Sequence, residues 1–117
     1  MAKLSTHVLD TACGKPGGNM RIDLNLCGNG TRRHITSAVT NADGRTDEPL
    51  LSGEQLETGI YELTFYAGDY FRAIGVALAE PPFLDEVVIR FGVADPAANY
   101  HVPLLLSPYG YSTYRGS

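Results

Sequence analysis

Histidines on alternating strands, an arginine after a tight turn and an aromatic, cationic terminus are the residues of this chain best suited to chemistry. His7 stands in "STHVLD" and His101 in "NYHVPLLL", both within apolar alternating stretches. Imidazole is the side chain whose ordinary pKa lets it take or give a proton near neutrality. Taken singly, a strand histidine is more often a packed, hydrogen-bonded residue than a catalyst. His34 follows Arg32 and Arg33 in a polar stretch and reads as a solvated outer-face residue. Arg45 follows the turn "NADG". Alone it reads as a surface arginine opening a strand; as a functional group, its planar fork suits a carbonyl-rich ligand better than lysine would.

The terminus carries a stronger signal. "YSTYRGS" follows the apolar run "VPLLLSPYG" directly, so Tyr114, Arg115, Gly116 and Ser117 bring a ring, a cation and a carboxylate to the end without a charged solubilising tail. An ordered end strand explains them, and so does a terminus that forms part of an active site.

Other chemistries find little support. There is no G-x-S-x-G elbow, P-loop or dinucleotide fingerprint. Two strand histidines far apart, with no acidic ligand at a telling offset, do not form a metal-site motif. Asp47 and Glu48 are adjacent carboxylates that read as a solvated turn rather than a glycosidase pair. Net charge is −4 and the nine basic residues are scattered, whereas nucleic acid requires a concentrated cationic footprint. No apolar stretch approaches the roughly 20 residues that span a bilayer, and the opening "MAKLSTHVLD" has no export signal, so no membrane association and a cytoplasmic location are expected. Cys13 and Cys27 lack C-x-x-C spacing; free thiols are the default, with a single disulfide left open.

The elements that must position these residues are strands. In "MRIDLNL" Met20, Ile22, Leu24 and Leu26 alternate with polar neighbours, and the same period returns in "GIYELTFY" and "DEVVIRFGV". Shorter candidates are "KLSTHVLD", "RRHITSAVT", "YHVPLLLS" and "YSTYR", with a weak eighth near "DEPLL". Turn clusters such as "CGNGT", "NADGR" and "SPYG" separate them, and "SPYG" predicts a closing hairpin between Leu104–Ser107 and Tyr111–Arg115. One segment departs from period two. In "GDYFRAIGVALAEPP" Asp69 can cap a helix, Tyr70, Phe71 and Ile74 recur at helical spacing, and Pro81-Pro82 forbids continuation. The pattern predicts one domain over residues 1–117: an all-β, two-sheet antiparallel sandwich of about eight strands with one short α-helix.

Three blocks, "LSTHVLDTACGKP", "TNADGRTDEPLL" and "YHVPLLLSPYGYSTYRGS", in that order along nearly the whole chain, resemble the 5-hydroxyisourate hydrolase family, the transthyretin-like proteins of urate breakdown. The terminal "YRGS" is the most specific part, because transthyretin shares the preceding hairpin and then continues differently. The resemblance implies a transthyretin-like sandwich and a homotetramer, a dimer of dimers with its active sites at the dimer–dimer interface. It implies 5-hydroxyisourate as substrate, opened by water to a ureidoimidazoline carboxylate in the urate-to-allantoin pathway. No metal or organic cofactor is expected.

The residues the resemblance marks as catalytic are His7, Arg45, His101 and Ser117; those it marks as holding substrate are His7, Arg45, Tyr114, Arg115 and Gly116. The implied reaction is metal-free. One histidine, with His7 favoured over His101 but the choice left open by the sequence, draws a proton from water with help from Ser117; His101 shares that proton or passes one to the leaving ring nitrogen, and Arg45 stabilises the tetrahedral oxyanion. Two rival readings keep the fold and drop the chemistry: a transthyretin-like carrier of a phenolic hormone, and a bare structural module. Charged and titratable side chains facing an apolar channel would carry a desolvation cost, which favours the enzyme.

Overall fold

Nearly every alternating stretch becomes a strand, because each has one face to bury and one to leave wet. The computed structural model describes residues 2–116. In chain order the strands are β1 (Lys3–Asp10), β2 (Lys15–Pro16), β3 (Arg21–Gly28), β4 (Thr31–Val39), β5 (Leu51–Ser52), β6 (Gly59–Tyr66), β7 (Glu86–Val93), β8 (Tyr100–Ser107) and β9 (Gly110–Thr113). A 3₁₀ turn over Gly53–Gln55 follows β5, and helix α1 (Ala67–Ala73) follows β6. One sheet runs β2-β1-β8-β9 with β5 also on β1; the other runs β4-β3-β6-β7. The two sheets enclose one core, in which Leu4, Val8, Leu104 and Leu106 of the first oppose Ile22, Leu24, Leu63 and Phe65 of the second. Each such side chain contributes about 1.5–3 kcal/mol by leaving water.

The expected hairpin forms, with Leu104 opposite Thr113 and Ser107 opposite Gly110. All other pairings are antiparallel except β1 with β8, which run parallel from Leu4 opposite Tyr100 to Asp10 opposite Leu106. No turn imposes that pairing; the strands come from opposite ends of the chain and meet because both bury the same kind of face. It brings Ser5 opposite His101 and His7 opposite Pro103, all on the outward side. The weak eighth candidate shrinks to the two residues of β5, with Asp47 and Glu48 in the bend before it.

The helix begins earlier than the sequence suggests. Tyr66 is its N-cap without a side-chain bond, and Asp69 lies in the first turn, paired with Arg72 at 3.2 Å. It also ends before the prolines. Gly75 adopts φ +86°, its N–H bonds to Arg72 O, and the Val76 N–H bonds to Phe71 O, closing the last turn as a Schellman motif. Among the described residues, no helix is long and apolar enough to cross a membrane. Both cysteines are free thiols.

Candidate functional site

His7 and Arg45 are neighbours across a backbone bridge, and the turn between "TN" and "RT" makes them so. Asn41 Oδ1 accepts the N–H groups of Asp43 and Arg45 at 2.9 and 3.2 Å, and the Asn41 N–H closes onto Arg45 O at 2.7 Å. Within that turn Gly44 donates to Asn41 O and its carbonyl accepts from the Val8 N–H, stitching the turn to β1. Gly44 takes φ +75°, and a Cβ there would meet Val8 O at 2.3 Å. Asp43 thereby presents its carbonyl to His7 Nε2 at 2.9 Å. A carbonyl only accepts, so Nε2 carries the proton and the Nδ1 lone pair of neutral His7 is left for another partner.

His101 is held from both sides of β8. Its Nδ1 lies 2.9 Å from Ser5 Oγ on β1. On the other side, Gly116 bridges to His101, donating its N–H to His101 O at 2.7 Å, and a Cβ on Gly116 would stand 2.6 Å from His101 Cδ2. Nδ1 toward one strand and Cδ2 toward the other leave the Cε1–Nε2 edge, farthest from Cβ, directed away from the sheet.

Burial pushes the His101 pKa below its ordinary value, and the charges of Arg45 and His7 push it further the same way. The strand register and the His7–Arg45 bridge put the three groups on one face, in agreement with those influences. Ser5 and Arg45 also line a 230 Å³ hollow with Lys3. A larger hollow of 410 Å³ lies on the other sheet beside Arg32, Glu62 and Arg90, but there Glu62 is already held by both arginines at 3.0 Å. Among the described residues, no three of His, Cys, Asp and Glu stand together at metal-ligating distance.

The terminal residues divide. Gly116 joins His101, whereas Arg115 turns to the other side of the strand, stacks 4.2 Å over the Tyr100 ring and donates to Asn99 O at 3.2 Å. Tyr114 is mostly exposed and, with Arg115, lines a 340 Å³ apolar hollow between β7 and the terminus. Ser117 lies outside the described residues. His34 sits on the outer face of the other sheet, 2.8 Å from Ser37 Oγ, remote from this cluster as its polar neighbours suggested.

Sequence reasoning passed over Ser5, Asn41 and the Asp43 carbonyl. Only Ser5 left a signal: two residues before His7 on one strand, it must share that histidine's face.

Comparison with known proteins places these features in a context. A family model described as the HIUase/Transthyretin family matches residues 4–116. A 5-hydroxyisourate hydrolase of Ralstonia nicotianae is 59% identical over 117 residues, covering 100% of both chains. A crystal structure of (S)-allantoin synthase superposes with a TM-score of 0.93 at 44% identity, over 99% of this chain and 44% of that longer one. Transthyretin from Sparus aurata superposes at 0.87 with 25% identity, covering 99% of this chain and 97% of its own. Backbone likeness is thus high to an enzyme and to a transthyretin alike.

Proposed function

The chain belongs to the HIUase/transthyretin family, and we propose that it is an enzyme that hydrolyses 5-hydroxyisourate in urate breakdown. The observation that carries this reading is the meeting of two imidazoles, one guanidinium and the penultimate residue on one outward sheet face: His7 bridged to Arg45, and His101 bridged to Gly116.

The chemistry follows from those groups. His7, its Nε2–H engaged by the Asp43 carbonyl, offers Nδ1 to a water molecule. As the water oxygen adds to a ring carbonyl, its proton passes to the imidazole and the carbonyl oxygen becomes an anion. Arg45 faces that anion and stabilises it, a contribution of about 3–4 kcal/mol for a well-placed donor. His101, kept neutral at pH 7 by burial and by Arg45, shares the water proton. As an imidazolium it is more acidic than a free one, so it gives the proton readily to the ring nitrogen as the carbon–nitrogen bond breaks. Collapse leaves a carboxylic acid, which gives its proton to solvent and lies as a carboxylate beside Arg45. Ser117 aids the attacking water in this reading and Gly116 holds the chain against His101, whereas Tyr114 and Arg115, which line the separate hollow beside Tyr100, lie outside the pocket of this subunit.

The same reading makes the active unit a homotetramer of this single domain, in the cytoplasm. The outward face that bears His7 and His101 is then closed by a second subunit, which excludes water from the pocket and strengthens its electrostatics. Edge strands β7 and β9 pair with their copies to form each dimer, which covers otherwise unpaired backbone.

A carrier of a phenolic hormone remains the one rival with structural support, through the likeness to transthyretin. One experiment separates them. Freshly oxidised urate is mixed with the protein and ring opening is followed by ultraviolet absorbance against buffer. Hydrolysis requires accelerated decay, and its loss by about 10²-fold or more in His7→Asn and His101→Asn. Decay at the buffer rate would leave the carrier.

A further inference from the structure

We propose that Ser5 is a positioning residue for His101, setting which ring nitrogen faces the reacting atoms. This inference rests on the hydrolase reading and extends it to a residue that touches no reacting atom.

Ser5 and His101 are opposed in the parallel register of β1 and β8, so their side chains leave the sheet side by side. Ser5 Oγ lies 2.9 Å from His101 Nδ1. Both residues are half-buried, where a lost hydrogen bond is incompletely replaced by water. No other hydrogen bond engages the His101 ring among the described residues. Gly116 lies close on the Cδ2 side, where a Cβ would collide with the ring, and its N–H is used by the His101 backbone carbonyl. Among the described residues, Ser5 is thus the one polar partner that distinguishes Nδ1 from Nε2.

A serine hydroxyl suits this task because its oxygen accepts from Nδ1–H without bringing a charge. The ring that takes a proton at Nε2 must hold its other proton at Nδ1, and Ser5 Oγ accepts that bond. When Nε2 gives its proton up, Ser5 keeps the same contact. The hydroxyl therefore serves the neutral ring and the imidazolium alike and holds the Nε2 edge outward through proton uptake and release. A carboxylate in its place would stabilise the imidazolium and work against release. The charged and titratable groups that act on this ring are His7 on β1 and Arg45 from the turn; Lys3, Asp47 and Glu48 line the hollow that Ser5 and Arg45 share, and Arg115 faces the other way, over Tyr100.

The test compares Ser5→Ala and Ser5→Thr with the full-length wild type, using freshly generated 5-hydroxyisourate and, separately, nitrogen-15 NMR of the histidines. Expected for Ser5→Ala is a roughly 10-fold loss in kcat with KM little changed. The acid limb of the pH profile moves with the His101 titration, and the His101 nitrogen shifts report a mixture of tautomers. Ser5→Thr keeps the hydroxyl and restores wild-type rate and shifts. A Ser5→Ala protein with an unchanged pH profile and unchanged His101 nitrogen shifts overturns the inference, whatever its melting temperature. A wild type that does not accelerate ring opening overturns the hydrolase reading instead, and the NMR comparison still decides whether Ser5 sets the tautomer.

Discussion

A Cβ on Gly116 would lie 2.6 Å from Cδ2 of His101 and 3.2 Å from its Cβ and Cγ, so Gly116 is packed against a strand imidazole with no room for a side chain. The contact is anchored by the Gly116 N–H on His101 O at 2.7 Å. Even one methyl group must displace the ring or the terminus.

Gly116→Ala is accordingly expected to lower kcat/KM by about 10²-fold through misplacement of His101, while the melting temperature stays close to wild type. Gly28→Ala, where a Cβ meets nothing within 4 Å, is the control and keeps full activity. Equal activity in the two variants would show that the terminus does not set the His101 ring.

The pH dependence follows from the sign of the His101 shift. Burial first, then Arg45 and His7, hold its pKa below the ordinary 6.5, so the proton-accepting ring predominates at neutral pH. Activity falls only as pH descends through that lowered value. Arg45→Gln removes the cation and lets the His101 pKa climb back toward 6.5, although the rate itself drops. Proton NMR titration of the His101 ring reads the shift directly, and a pKa that stays put or falls contradicts the proposed neighbourhood.

The turn that pairs His7 with Arg45 depends on Gly44. With φ +75° and Val8 O 2.3 Å from any Cβ, Gly44→Ala faces backbone strain and a backbone collision together. A stability loss of about 1–3 kcal/mol is expected by chemical denaturation, alongside a fall in kcat/KM as Asp43 and Arg45 move from His7. Unchanged denaturation midpoints would mean that the turn relaxes without cost.

Away from the site, Tyr70 donates to the buried Asp10 carboxylate at 2.7 Å. Burial alone would raise the Asp10 pKa, but the bonds from Tyr70 and from Cys13 outweigh it and leave the carboxyl below its ordinary 3.8. A lowered carboxylate pKa contributes stability that is present above the unfolded value and is lost as pH falls through the folded one. Tyr70→Phe is therefore expected to cost about 1–3 kcal/mol at pH 7 and distinctly less near pH 3. Urea melts at both values check this; an equal loss would assign the effect to packing instead.

The alternation in "KLSTHVLD" and "YHVPLLLS" determined by itself that His7 and His101 leave their strands on the wetter side, because successive strand residues must point to opposite faces. The turn residues of "NADGR" and "SPYG" likewise determined local reversals, since their conformations are set within a few residues. The helix was legible in kind but not in bounds: its start depends on how β6 delivers the chain into it, and Gly75 stops it before the prolines can.

Only the tertiary structure decided which faces meet. The parallel pairing of β1 with β8 joins opposite ends of the chain, and no local pattern specifies a partner so distant. That pairing alone sets Ser5 beside His101. The bridge from Gly116 to His101 alone brings the terminus to that ring while turning Arg115 toward Tyr100. Spacing along the chain carries the period of a strand, but contact between its ends is settled by burying two apolar faces in a shared core.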